Sequence, residues 1–364
     1  EWLEQHEGFK FKEFPTGKGT IVLERIKGSR GASSPVHSGQ RTGRAKLAVV
    51  ALGGNAFEDL RNMTAANADL IEAGYREVIT HGNGPQIGKH LEAQALAIKA
   101  GRLRGPPKEM FEFVEVTQYE LGGQIQAALT QELASRELNR TIEVITPSRV
   151  IIDPNDPYSQ QYTKPVGVFY TREAVKQIET EQQEQLRRGE LEKENVWRMK
   201  EVTKIPVGNP LRFRRFVPSP RPVAIFPEDL SRIQTSLKRG NLVVAMGGGG
   251  VPGYLKDGMF TGFNGVIDKD RASAELAVQL NADFLIIFTG ADGFYWDFGT
   301  PNARQELVLT VEEAARILSE YPEQAGEGSM EPKLEAAIYF VLLTGKPAII
   351  CLAQNSTRAL ECRA

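Results

Sequence analysis

Leu47-Ala48-Val49-Val50-Ala51-Leu52-Gly53-Gly54-Asn55-Ala56 reads as a buried strand that runs straight into a tight turn. Six uncharged residues, two of them β-branched, suit a parallel strand covered on both faces. A buried helix segment would carry the same hydrophobicity. Gly53-Gly54 decides for the strand, because glycine breaks helices, adopts positive φ and lets backbone N–H groups come close to an anion. Ala65, Ala68, Leu70 and Ile71 then follow helical spacing from Thr64 to Glu72, closed by Gly74, and a short strand resumes at Glu77 to Thr80. Together these make a βαβ unit.

The second strand ends in His81-Gly82-Asn83-Gly84-Pro85, where Pro85 suits the first turn of a helix running through Gln86 and Leu91. Free N–H groups and the helix dipole at such a start favour phosphate, although a plain turn fits the same residues. A further strand, Asn241 to Met246, ends in Gly247-Gly248-Gly249-Gly250. Gly248, Gly250 and Gly253 also match the dinucleotide fingerprint GxGxxG, but that motif must open a helix. Tyr254 to Gly265 instead holds the Asp257-Gly258 turn signal of a hairpin. A loop for a nucleotide or small anion fits better.

Asp268 is placed to cap a helix carrying Ala272, Leu276, Ala277 and Leu280. Lys269 then falls in the first turn, where the dipole disfavours a cation. Two readings account for it: a surface pair with Asp270, worth little, or a lysine held against anionic substrate oxygens by that aspartate. Phe284 to Phe288 is another apolar strand, and Thr289-Gly290-Ala291-Asp292-Gly293 after it presents a hydroxyl and a carboxylate. Open α/β sheets bind ligands at that edge. Gly328-Ser329-Met330-Glu331-Pro332-Lys333 opens a helix with a second lysine near its start, and Pro347 to Leu352 supplies the last strand.

Around this frame, Phe111 to Leu133 reads as a long helix and Ile142 to Ile145 as a strand. From residue 150 to 222 eight prolines and a charged, helix-prone stretch, Glu173 to Arg198, mark a protruding lid. Residues 1–45 show neither helical nor strand periodicity and are expected to form a loosely ordered extension, with 46–364 as the main domain. A formal net charge of −2 gives no sign of a nucleic-acid partner. Cys351 and Cys362 lack metal spacing, and no apolar run approaches the ~20 residues that span a bilayer. A cytoplasmic protein is expected.

Eight stretches in one order carry a resemblance. They are Ala51-Leu-Gly-Gly-Asn-Ala56, Thr80-His-Gly-Asn-Gly-Pro-Gln-Ile-Gly88, Asp153-Pro-Asn-Asp-Pro157, Thr163-Lys-Pro-Val-Gly167, Arg214-Arg-Phe-Val-Pro-Ser-Pro220, Gly247-Gly-Gly-Gly250, Val266-Ile-Asp-Lys-Asp270 and Gly328-Ser-Met-Glu-Pro-Lys333. Through them the chain, from about Leu47 to Leu352, resembles the carbamate kinases of the amino-acid kinase superfamily. The resemblance implies an open αβα sandwich with a mainly parallel sheet and a protruding lid, a homodimer, and reversible phosphoryl transfer between MgATP and carbamate, used to make ATP from carbamoyl phosphate in arginine or purine-nitrogen breakdown. No GxxxxGK[ST] loop exists in the chain. The resemblance gives its phosphate-binding charge to Lys269 and Lys333, oriented by Asp270, with Lys164 reaching in from the lid. Gly53, Gly54, Asn55, Gly82, Asn83 and Gly84 would donate N–H groups to the carbamate and the transferred phosphoryl. Gly247 and Gly248 would lie beneath it, and Thr289, Asp292 and Met330 would hold the nucleotide. Mg2+ is assigned to the nucleotide phosphates.

Some features depart from that pattern. The loop between Asn55 and Thr64 is short, and Glu331 brings a negative charge close to Lys333. Two rivals remain at this point: a kinase of another small carboxylate, such as acetylglutamate, and a nucleotide-binding homologue that has lost catalysis.

Overall fold

The computed structural model describes residues 20–23, 45–53, 60–189, 196–202, 210–325 and 330–361. At its centre lies Leu47–Leu52 (β2), every residue of it buried. It pairs in parallel with Arg76–His81 (β3) on one side and Phe284–Phe288 (β13) on the other. Beyond β3 the sheet adds Leu242–Val244 (β10) and Ile142–Val144 (β4); beyond β13 it adds Ala348–Cys351 (β17), Thr20–Leu23 (β1) and Val308–Thr310 (β16). Seven strands run parallel and only β16 is antiparallel to its neighbour.

Side chains along β2 alternate between two cores. Val49 and Ala51 join Val78, Leu285 and Ile287 on one face. Lys269–Gln279 (α6), Val311–Glu320 (α7) and Glu331–Thr344 (α8), with Pro227–Lys238 (α5), cover that face. Ala48, Val50 and Leu52 join Ile79, Ile286 and Phe288 on the other face, beneath Leu60–Glu72 (α1) and Met110–Ser135 (α3). The fold is therefore an αβα sandwich, and continuous apolar runs fit strands covered on both sides.

A second sheet, of Met259–Gly262 (β12), Val251–Lys256 (β11), Arg149–Ile152 (β5) and Pro222–Ile225 (β9), continues the core. The hairpin read at Asp257-Gly258 is the β11–β12 pair. Between β5 and β9 the chain builds a third sheet from Tyr162–Tyr170 (β6), Phe213–Pro218 (β8) and Arg198–Glu201 (β7), together with helix Arg172–Arg188 (α4). A ribbon of Phe294–Trp296 (β14) and Arg304–Glu306 (β15) follows β13. Thr20–Leu23 of the N-terminal segment, β1, form a strand between β16 and β17, where the sequence shows no strand period. A run of four residues is too short to show that period.

Gly84–Lys99 (α2) begins directly after the β3 turn. Its Gly88 and Gly167 of β6 meet backbone to backbone, so that a Cβ on Gly88 would overlap Gly167. Gly167 also has φ +76°, a conformation open mainly to glycine. This contact seats the lid sheet on the core. Gly88→Ala is expected to force α2 and β6 apart and lower unfolding stability by about 1–3 kcal/mol, the usual cost of overpacking, read by thermal or denaturant unfolding.

Among the described residues, the Glu77 carboxyl is buried without a hydrogen-bond partner. Glu77 on β3 is 1% exposed, neither carboxylate oxygen has a hydrogen bond, and burial pushes its pKa well above its ordinary value of 4.5. A raised folded-state pKa means that the native protein binds the proton more tightly than the unfolded chain does. Stability is then full below pH 4.5 and is lost as pH rises toward the folded pKa. Glu77→Gln should abolish that loss. Measured by urea unfolding across pH, wild type should fall relative to the variant by up to about 1.4 kcal/mol per pH unit above that point.

Candidate active site

All the parallel strands point their C-terminal ends at one edge, and the sheet order reverses between β2 and β13. Ligands of open α/β sheets bind outside such a switch point. Gly53 follows β2 there, and a Cβ on it would stand 3.0 Å from the carbonyl oxygen of Phe288. Gly54 and Asn55 lie outside the described residues, and α1 begins at Leu60, four residues before the start read from the sequence.

On the other side of β2, His81 closes β3 and its Nδ1–H donates to the Gly82 carbonyl oxygen at 3.1 Å. Burial pulls the His81 pKa down to about 4, so the ring is neutral at pH 7. Asn83 is buried, and its Nδ2 donates to Thr117 Oγ1 at 2.8 Å. Its backbone oxygen accepts from the N–H groups of Gln86 and Ile87, both at 3.0 Å, which starts α2 with Pro85 in the first turn.

The glycine run after β10 packs against these groups. A Cβ on Gly247 would overlap the His81 ring, and one on Gly248, whose φ is +66°, would overlap the Asn83 amide. Gln118 on α3 ties the loop down, donating from Nε2 to the oxygens of Gly247 at 3.0 Å and Ser148 at 3.1 Å. A side chain at Gly247 or Gly248 would displace the β3 turn.

Gly249 in turn abuts the carbonyl of Ile267, which leads into α6. Asp268 caps that helix, its Oδ1 accepting from the Asp270 N–H at 2.9 Å. Lys269 and Asp270 are only 9% and 2% exposed, so the pair is a buried one and not a surface ion pair. Lys269 Nζ donates to Asp270 Oδ1, and Lys333 Nζ, from α8, donates to Asp270 Oδ2 at 3.0 Å. Lys164 on lid strand β6 donates to Asp268 Oδ2. Behind them Ser273 Oγ donates to the Lys269 oxygen at 2.6 Å and lies 2.6 Å from Thr80 Oγ1, fixing α6 to β3.

Three ammonium groups therefore share two carboxylates. Burial disfavours the charge on Asp268, yet Lys164, Arg271 and Lys269 outweigh it and hold the carboxyl far below its usual range. Asp270 is lowered too, since Lys269 and Lys333 overcome its burial. Burial also opposes the Lys333 charge, but Asp270 and Asp268 win and its pKa rises. At Lys269 burial prevails over Asp270, with Lys333 adding repulsion, and the pKa falls. The surplus of positive charge suits an anion with several oxygens.

Thr289 and Asp292 follow β13. The Thr289 N–H donates to the Cys351 oxygen at 3.0 Å, and Asp292 Oδ1 accepts weakly from the Leu352 N–H at 3.4 Å. Met330 immediately precedes α8, three residues before Lys333. Thr289 and Asp292 thus lie at the β13–β17 end of the edge. Among the described residues no cluster of three or more His, Cys, Asp or Glu is placed to hold a metal ion, and no helix is long and apolar enough to cross a membrane.

The profile of the amino acid kinase family matches residues 46–351. The chain belongs to that family. Within the amino acid kinases it falls with the carbamate kinases. The carbamate kinase of Pyrococcus furiosus is 36% identical over 331 residues, covering 87% of this chain and 96% of its own length. Carbamate kinase 3 of Staphylococcus aureus is 34% identical over 310 residues, covering 83% and 92%. The solved structure of carbamate kinase from Giardia lamblia bound to citric acid has a TM-score of 0.73 at 26% identity, covering 88% of this chain and 96% of that one. These amino acid kinase relatives agree with the eight-motif resemblance and with the αβα architecture.

Sequence reasoning missed Gln118, Thr117, Thr80 and Ser273, which brace the glycine loop and α6 from behind. It also took Asp268 for a helix cap alone. Its second partner, Lys164, is 104 residues away in sequence, and no local signal joins the two.

Proposed function

We propose that the chain is an ATP:carbamate phosphotransferase, passing a phosphoryl group between carbamoyl phosphate and MgADP. The observation that carries this reading is the convergence of Lys269 and Lys333, from two different helices, on one buried carboxylate beside the glycine turns of the sheet edge. Phosphoryl transfer needs in-line positioning and positive charge on the moving oxygens more than covalent help from the protein. An oxygen of the ADP β-phosphate attacks phosphorus, the bond from phosphorus to the carbamate oxygen breaks, and carbamate leaves as an anion. Lys269 and Lys333 neutralise the transferred group from two sides, and Asp270 sets their separation. Lys164 leaves Asp268 to reach that group from the lid.

Gly53, Gly54, Asn55, Gly82, Asn83 and Gly84 supply N–H donors to the carbamate and phosphoryl oxygens, with Gly247 and Gly248 beneath. Thr289, Asp292 and Met330 take the nucleotide. Asp268 and Asp270 are already committed to lysines, so these residues offer no protein cage for Mg2+, which belongs to the nucleotide and its waters. A cytoplasmic homodimer that makes ATP from carbamoyl phosphate completes the reading.

Substrate choice is tested by supplying MgATP with either ammonium bicarbonate, which generates carbamate, or N-acetylglutamate. ADP release with the first and none with the second is the expected result. Equal or faster release with N-acetylglutamate would move the chain to another acceptor.

A further inference from the structure

The lid leaves the core through residues 153–161 and returns through 219–221, and the two crossings meet at one aromatic ring. Asp156 Oδ1 accepts from the Tyr158 N–H at 2.9 Å, and the same carboxylate takes two hydrogen bonds from Arg221, at 2.8 and 3.1 Å. The Arg221 guanidinium lies 4.7 Å from the centroid of the Tyr158 ring, and that of Arg271 lies 5.0 Å from it. Arg271 donates from Nε to Glu335 Oε2 at 2.8 Å, a largely buried pair.

The placement of these residues gives the contacts their meaning. Arg271 follows Asp270 on α6, and Glu335 stands two residues beyond Lys333 on α8. One ring therefore joins both strands of the lid's neck to the two helices that carry the lysine cluster. Two guanidinium groups on one ring would repel each other. Asp156 and Glu335 each offset one of them, which leaves both free to stack.

The Asp153-Pro154-Asn155-Asp156-Pro157 turn, which none of the proposed catalytic roles uses, builds the platform for this ring. Asp153 Oδ1 accepts from the Asn155 N–H at 2.8 Å, Ser159 Oγ donates back to the Asp153 oxygen at 2.7 Å, and the two prolines restrict φ on either side. A plain connection would not need so stiff a turn.

We propose that Tyr158 is a positioning residue, whose ring, through Arg221 and Arg271, sets the lid and its Lys164 against the Lys269–Asp270–Lys333 cluster. The proposal rests on the phosphotransferase reading above. Tyr158 acts through Lys164, so its effect must depend on that lysine.

The test measures ATP formation from carbamoyl phosphate and MgADP for Tyr158→Leu and Tyr158→Phe, each in wild-type and Lys164→Ala backgrounds. Tyr158→Leu is expected to lower kcat by about tenfold with KM for ADP changed by less than about twofold, since small misplacements of a reacting geometry are costly. Tyr158→Phe keeps the ring and should recover turnover to within about threefold of wild type. In the Lys164→Ala background Tyr158→Leu should cost less than about twofold more, the non-additivity of residues acting as a unit. A full tenfold loss in both backgrounds, or the same loss in Tyr158→Phe, would overturn the proposal. Arg221→Gln, which touches only the lid side of the ring, must show the same dependence on Lys164 and serves if Tyr158→Leu does not fold. Silence of the wild-type protein would instead overturn the phosphotransferase reading itself.

Discussion

Lys333→Ala lowers the turnover of carbamoyl phosphate by about 10²–10³-fold, the usual cost of deleting one preorganised charge from a transition state. Its effect on folding is small by comparison. Asp270 keeps Lys269 as a partner, so no carboxylate is stranded in the core. The same holds in reverse for Lys269→Ala, where Lys333 stays on Asp270. Each variant should therefore bind ADP and unfold near the wild-type midpoint while losing most of kcat. Steady-state kinetics beside a denaturant titration checks this, and a fall in stability as large as the fall in activity would contradict the placement.

Asp270→Ala behaves differently. Removing it strands two buried ammonium groups whose mutual repulsion the aspartate now offsets, and breaking a buried pair in this way costs about 3–5 kcal/mol. Stability and turnover should fall together, with a lower denaturant midpoint at unchanged slope. Asp270→Asn retains a hydrogen-bond acceptor without the charge and should lie between. An Asp270→Ala protein as stable as wild type would mean that the two lysines do not depend on this carboxylate.

The frame of the fold was legible because its signals are local. Phe284 to Phe288 is a strand with the bounds read from its apolar run, and the Asp257-Gly258 turn marks the β11–β12 hairpin. The weight given to glycine clusters after strands located the sheet edge. What local reading could not see is why the glycines are needed. Gly248 must be small because Asn83, reached through a different strand, fills the space where a side chain would go.

The site shows the same division. Lysine in a first helical turn is an electrostatic misfit visible in the sequence, and it pointed to Lys269. Whether that lysine forms a surface pair or a buried cluster depends on α8 and the lid packing over it, which no spacing reveals. Strand β1 was invisible for a related reason. Thr20 to Leu23 carries three β-branched residues, but the strands it pairs with, β16 and β17, lie far along the chain, and four residues are too few to show a period.

Mixing the purified protein with MgADP and carbamoyl phosphate and following ATP tests the phosphotransferase reading. Wild type is expected to form ATP, and Lys269→Ala and Lys333→Ala to lose most of that activity while still binding ADP. A folded wild-type protein that binds ADP and forms no ATP from carbamoyl phosphate would contradict it.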